Sequence, residues 1–275
     1  MTHDEGSGNA DGEVQKSLRD GTLTVLGQLR AASNASFLCD AEWGAAVVRC
    51  IYKPIRGERP LWDFPDGTLA ARERAAYEVS AELGWHIVPT TLLRDGPFGP
   101  GMVQEWITED ESRGADLLGV FEPAALPSGW LPVLRAVTED DAEVILAHAD
   151  DERLARLAVF DLIVNNADRK GGHILATSDG ALFGIDHGIC LHQEDKLRTV
   201  LWGWAGREIP DALLADVKRL GMALTGDFGA ELSTLISPKE LGAVQQRIQR
   251  ILDTPRFPRP LSGLGPMSPI PWPPF

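Results

Sequence analysis

Two aspartates raise the question of chemistry in this chain. Asp168 lies in the stretch NNADRKGGH (165–173) and Asp186 in LFGIDHG (182–188), 18 positions later. Between them HILATSDGALFG reads as a strand, an SDG turn and a second strand, so the two carboxylates flank a hairpin and can face one cleft. Carboxylates so placed suit phosphoryl transfer, in which one orients a hydroxyl and the other holds Mg²⁺ across phosphates. Both stretches also fit ordinary turns, because Asn, Asp and Gly favour turns for local reasons. Asp186 fits that plainer description less well. It follows directly on an apolar strand, where an unpaired carboxylate is costly.

Other residues fit the same chemistry. Lys53 ends the apolar stretch AAVVRCIYKP, where an ammonium can reach phosphate oxygens or stay solvated. Glu73 and Glu78 lie on the next predicted helix, and either can fix that lysine. In AASNASF, small residues between two strands let backbone N–H groups approach a phosphate, and Ser33, Asn34 and Ser36 add side-chain donors. The same loop also reads as a plain hairpin turn. The chain has no GxxxxGK[ST] and no GxGxxG, which argues against a P-loop or Rossmann site. It also lacks the GxSxG elbow of a serine hydrolase. His187, Cys190 and His192 could suggest zinc, but their spacing matches no standard closed site and a fourth ligand is not evident.

The elements that must position these groups fall into two lobes. Residues 1–18 are polar and acidic and read as disordered. Residues 19–107 read as several strands and one helix, TLAARERAAYEVSAELG, with Thr68 as its cap and Gly84 as its end. In residues 108–253, TEDESRGADLLG reads as a polar connector. EDDAEVILAHADDERLARLAVFDLIVNN (139–166) reads as helical, and Pro210 to Leu252 as mostly helical. Residues 254–275 are too Pro-rich for a regular element and predict an extended arm, lying on the surface through Trp272 and Phe275 and available to a protein partner. The expected fold class is α+β, with a β-rich N-lobe, a mainly helical C-lobe and a ligand cleft between them.

Composition narrows the partners. A net charge of −14 over 275 residues, with no run of basic residues, disfavours nucleic acid and anionic membranes. No apolar run is long enough to span a bilayer, and no basic-then-apolar leader opens the chain. Three cysteines make no disulfide framework, which fits the cytoplasm.

The order of these parts is that of a protein-kinase-like fold: small-residue loop, strand lysine, helix glutamate, then Asp and Asp around a hairpin. FDLIVNNADRKGGHIL (160–175) followed by LFGIDHG resembles the catalytic and metal-binding segments of phosphatidylinositol 3/4-kinase-like proteins. It is especially similar to type II phosphatidylinositol 4-kinases and HipA-type serine/threonine kinases, and most similar to an actinobacterial family of phosphatidylinositol-kinase-like proteins. Those families carry N-x-D-R-x-x-x-N and then an apolar strand ending in Ile-Asp, and the resemblance spans roughly residues 20 to 250. It implies a bilobal kinase that takes ATP and Mg²⁺ (or Mn²⁺) and transfers phosphate to a hydroxyl on a lipid, protein or small metabolite. It makes Asp168, with Arg169 beside it, catalytic and Asp186 the metal ligand. Lys53 becomes the phosphate lysine, Glu73 its partner with Glu78 as the fallback, and Ser36 a phosphate-loop serine. The backbone around Glu105 and Ile107 becomes the adenine-binding strand, and Asp161 a brace for the catalytic loop. His173 departs from the pattern, for the families carry Asn there as a second metal ligand, and hard cations prefer oxygen. The departure leaves three outcomes: phosphoryl transfer resting on Asp186, nucleotidyl transfer, or ATP binding with little catalysis. LWGWAG (201–206) reads as an acceptor pocket or as core packing.

Overall fold

A computed structural model describes residues 7–29, 34–59, 61, 64, 69–260 and 268–275, with side chains from residue 12 onward. The chain begins in helix α1 (Ser7–Asp20), where the sequence predicts disorder; residues 1–6 lie outside the described residues. The physical reason is a narrow apolar stripe. Val14 and Leu18, four apart, share one helix face and pack against the N-lobe sheet, so tertiary burial overrides the polar composition. Arg94 closes the helix by donating to the carbonyls of Leu18 (2.8 Å) and Gly21 (2.9 Å). Gly21 is needed at the exit, because a Cβ would strike the Ser17 carbonyl.

The sheet under α1 is formed by β1 (Thr22–Gln28), β2 (Phe37–Trp43), β3 (Ala46–Pro54), β4 (Thr91–Gly96) and β5 (Gly99–Glu105). It is antiparallel, in the order β1-β2-β3-β5-β4. Between β3 and β4 runs helix α2 (Leu69–Glu82); Thr68, its predicted cap, lies outside the described residues.

The buried face of α2 (Ala75, Ala76, Val79) and Leu83 just past its end join the large core shared with the C-lobe, whereas α1 and the sheet close a separate small core. Polar contacts fasten α2 on both sides. Arg72 pairs with Glu240 and donates to the Cys190 carbonyl (2.7 Å). Just beyond its C-terminus Trp85 donates to Asp216 (2.8 Å), and Arg219 donates to the Leu83 carbonyl (2.9 Å). Toward the sheet, Arg74 donates to the Thr91 carbonyl.

The C-lobe departs from the sequence reading in its first part. The polar connector contains a short helix α3 (Glu111–Ala115), capped by the Asp110 carboxylate, and then β6 (Leu118–Phe121). With β7 (Trp130–Val137) and β8 (Glu143–Ala149) it forms a three-stranded sheet in the order β6-β8-β7. Residues 139–166 are therefore not helical throughout. EVILAHA pairs on both edges as a central strand with Ile145 to His148 buried, and long-range pairing overrides the Ala and Glu content. The helix proper, α4 (Glu152–Val164), starts only where the Asp151 carboxylate accepts from the Arg153 N–H at 2.8 Å.

After α4 come the predicted hairpin, β9 (Ile174–Ala176) with β10 (Leu182–Gly184), and helices α5 (Asp211–Ala223), α6 (Asp227–Leu232) and α7 (Pro238–Asp253). Helix α7 opens on a capping box of Ser237 and Glu240. The described tail residues, 254–260 and 268–275, form no helix or strand. Trp272 does not anchor the arm, being 73% exposed; the buried Ile270 does. No helix among the described residues is long and apolar enough to cross a membrane.

Candidate active site

Lys53 sits near the end of β3, opposite Met102 of β5. Its ammonium donates to Glu73 Oε1 at 2.6 Å and to Asp186 Oδ1 at 2.8 Å, joining sheet, helix and C-lobe at one nitrogen. Burial alone would push this ammonium's pKa down; the Asp186 and Glu73 carboxylates outweigh it and hold it above the ordinary lysine range. Lys53 in turn keeps the Asp186 carboxyl well below the usual carboxylate range, although Asp186 is itself half exposed. Glu73 moves the other way, because burial raises it and Lys53 only partly compensates. Glu78 faces elsewhere, in an ion pair with Arg74 one turn before it on the same helix.

Asp186 has φ +62°, in the left-handed region that costs a non-glycine residue about 1 kcal/mol or more. Its neighbours hold it there. The Ile185 N–H donates to the His173 carbonyl (3.0 Å), and the Gly184 N–H to the Ile87 carbonyl (2.7 Å). Strained backbone at a half-exposed carboxylate is the kind of outlier that functional sites carry.

The catalytic-loop candidate begins where α4 stops. Asn165 caps the helix with φ +52°, and its side chain is tied to the backbone of His192, Glu194 and Lys196. Asn166 donates to Asp161 (3.1 Å) and accepts the Asp168 N–H (2.9 Å), which turns the chain and aims the Asp168 side chain outward. That carboxylate is partly exposed and lies 3.4 Å from Lys170 Nζ.

Arg169, expected beside Asp168 as a catalytic residue, is instead fully buried. Its guanidinium grips both oxygens of the fully buried Asp161 and donates to the His173 (3.0 Å) and Ile185 (3.1 Å) carbonyls. It also meets His187 Nε2 at 2.6 Å. Every planar donor direction is thus used to pin the loop to the hairpin, so Arg169 positions and does not reach the cleft. His187 stays neutral, since burial and the adjacent Arg169 push its pKa far down.

His173 also fills a specific slot. Its Nδ1 lies 3.0 Å from the Asp168 carbonyl, which assigns the proton to Nδ1. The unprotonated Nε2 then faces Asp186 Oδ2 at 3.5 Å. Burial lowers the His173 pKa against the opposing pull of Asp186, and with the proton on Nδ1 the Nε2 lone pair faces the carboxylate. Two acceptors facing one another fit a shared cation, and a donor set of one imidazole and one carboxylate is softer than the oxygen-only set Mg²⁺ favours. With His173→Asn, affinity for Mg²⁺ relative to Mn²⁺ is expected to rise by about threefold or more, read from titration with each metal.

Ser36 is buried and its hydroxyl donates to the Asn34 carbonyl (3.3 Å), while Asn34 Oδ1 accepts the Arg59 N–H (2.9 Å). Both side chains hold their own loop in place; Ser33 lies outside the described residues. Glu105 ends β5 with its N–H on the Thr90 carbonyl (2.9 Å), and half-buried Ile107 follows on the strand's exit. His187, Cys190 and His192 do not converge, and no group of three metal-capable side chains gathers among the described residues. The Cys190 thiol points at the His187 carbonyl (2.8 Å). In LWGWAG, Trp204 is core, bonded to Asp150 (2.7 Å) and packed on His148 and Phe257. Trp202 borders a small apolar cavity with Ala158, Leu162 and Phe257. Reading the sequence missed Lys170 and Asn166. The Asn-x-Asp spacing is the one signal that could have marked Asn166.

This arrangement of sheet, helix, loop and hairpin is a kinase-like fold. It is similar to the Golgi casein kinase crystallised with Mn/ADP, with TM-score 0.56 at 12% identity over 90% of this chain and 75% of that one. A second crystal structure of the Golgi casein kinase aligns with TM-score 0.53 at 12% identity, over 88% and 75%. The family model "Phosphatidylinositol 3- and 4-kinase" matches residues 152–220, which hold α4, the loop and the hairpin. Protein Rv2133c of Mycobacterium tuberculosis is 54% identical over 266 residues, 94% of each chain. The chain belongs to one family with this mycobacterial protein, and the likeness to phosphatidylinositol 3- and 4-kinases lies in residues 152–220.

Proposed function

We propose that the protein is an ATP- and divalent-metal-dependent phosphotransferase acting on a hydroxyl. The observation that carries this reading is Lys53 Nζ, bonded at once to Glu73 and to Asp186, 133 residues away. No packing need explains an ammonium shared by a buried and a half-exposed carboxylate at a lobe junction. Phosphate binding does, because Lys53 can exchange Asp186 for phosphate oxygens while Glu73 keeps it oriented. Adenine would lie against the backbone after β5, at Glu105 to Ile107. Asp168 would accept a hydrogen bond from the acceptor hydroxyl and take its proton, with the Lys170 charge beside it. Asp186 and His173 would hold a divalent cation, which when bound neutralises charge on the transferred phosphate.

The acceptor is a protein, lipid or small metabolite. The net charge of −14 weighs against an enzyme that works on an anionic bilayer. Three free, buried cysteines favour the cytoplasm. Incubation with γ-labelled and α-labelled ATP in Mn²⁺ or Mg²⁺ tests the reading. Label from the γ position is expected on an acceptor or on the protein, and none from the α position. Transfer of the α label would mean nucleotidyl transfer, and ATP binding with neither label moved would mean a nucleotide-binding regulator.

A further inference from the structure

The tail meets the catalytic loop. The Pro274 carbonyl accepts the Gly171 N–H at 2.7 Å, three residues past Asp168. A Cβ on Gly171 would lie 2.5 Å from the Phe275 ring and 2.6 Å from Leu118 Cδ2, so this glycine makes room for the tail. The same segment is anchored upstream. The Pro269 carbonyl accepts from the Thr199 N–H (3.1 Å) and from Trp202 Nε1 (2.9 Å), the Ser268 carbonyl accepts from Arg198 Nε (3.1 Å), and Ile270 is buried in the main core. Residues 198–200 are themselves laced to the loop. The Arg169 N–H donates to the Arg198 carbonyl (3.0 Å), and the Val200 N–H to the Arg169 carbonyl (3.1 Å). The tail therefore backs Arg169 and Gly171, just after Asp168, by two routes, one direct at Gly171 and one through residues 198–200.

We infer that residues 268–275 are a strap that orders the catalytic loop for transfer, and that its Gly171 contact positions Asp168. A plug is the other structure such a tail could form, and the exposures distinguish the two. With the tail in place, the Asp168 side chain is still 24% exposed and Asp186 49% exposed. The strap takes backbone N–H groups from behind the loop and leaves both carboxylates open. A shift of about 1 Å at a positioned catalytic group can cost about a hundredfold in rate, so a loop missing this support should turn over slowly without losing nucleotide.

The catalytic half of this inference rests on the phosphotransferase reading, and the test separates the two. Three proteins are compared: the full chain, the full chain with Phe275→Ala, and a chain ending at residue 267. For each, ATP affinity, γ-phosphate transfer, thermal unfolding and hydrogen exchange of the 166–173 backbone are measured. Cutting at 267 is expected to lower kcat about tenfold or more, with KM for ATP within about twofold, and to speed loop exchange. Phe275→Ala should do the same more weakly. Adding a peptide of residues 268–275 should restore both rate and protection. If the shortened chain fails to fold, Phe275→Ala and its exchange decide. Unchanged loop exchange overturns the strap. Faster exchange with unchanged transfer overturns its catalytic role, and increased transfer shows a plug instead. A full chain that binds ATP but moves no γ label overturns the kinase reading and with it the catalytic role; exchange still decides whether the strap orders the loop.

Discussion

Replacing Asp168 by alanine is expected to lower kcat for phosphoryl transfer about a thousandfold, while ATP affinity changes by no more than about twofold. The two effects separate because the carboxylate's ion pair is with Lys170, not with the Lys53–Glu73–Asp186 group that would hold phosphates. Stability should hardly change. The side chain is partly exposed, and the backbone turn is held by the Asn166 side chain on the Asp168 N–H, a bond that alanine keeps. Steady-state rates, ATP titration and a melting curve on one preparation check all three. Undiminished turnover would remove Asp168 from the chemistry.

Asp161→Ala should damage the fold itself. Asp161 and Arg169 are both fully buried, and Asn166 and Thr199 also address the same carboxylate. Removing it strands a buried guanidinium, a loss of about 3–5 kcal/mol in a denaturant unfolding experiment. A double variant, Asp161→Leu with Arg169→Met, should recover only part of that stability: apolar residues often replace buried ion pairs without loss, but here the His173 and Ile185 carbonyls and His187 Nε2 also lose their donor. It should not recover transfer, because Arg169 is also what joins the Asp168 loop to the His173 and Ile185 carbonyls beside Asp186. Full recovery of activity would show that the pair only stabilises.

Much of the frame was legible because it rests on local rules. The strand ending in Lys53, the helix carrying Glu73 and the hairpin between Asp168 and Asp186 all follow from periodicity and turn residues. What was not legible depends on contacts made across the chain. α1 exists because Val14 and Leu18 find a sheet to cover, and a composition rich in Asp, Glu and Gly hides that. β8 is a strand because β6 and β7 flank it, and neither was evident in the sequence. Arg169 looks catalytic from its place beside Asp168, since nothing local reveals that its side chain turns inward to Asp161. The choice of Glu73 over Glu78 is decided by which face of α2 meets Lys53 and which is taken by Arg74.

Helix α2 is gripped by the C-lobe through Arg72 and, just past its end, Leu83 and Trp85, and by the sheet through Arg74. It acts as a dowel driven through both lobes. The ordering cost of bringing Lys53, Glu73 and Asp186 together is then met when the chain folds, not when a nucleotide arrives. On the proposed function, a nucleotide would meet the Lys53–Glu73 pair already set and would have only to displace Asp186 from it. A dowelled helix also gives up the option of switching the site off by swinging outward. Under the proposed function, control would fall to segments of the chain less firmly held, or to the supply of the acceptor.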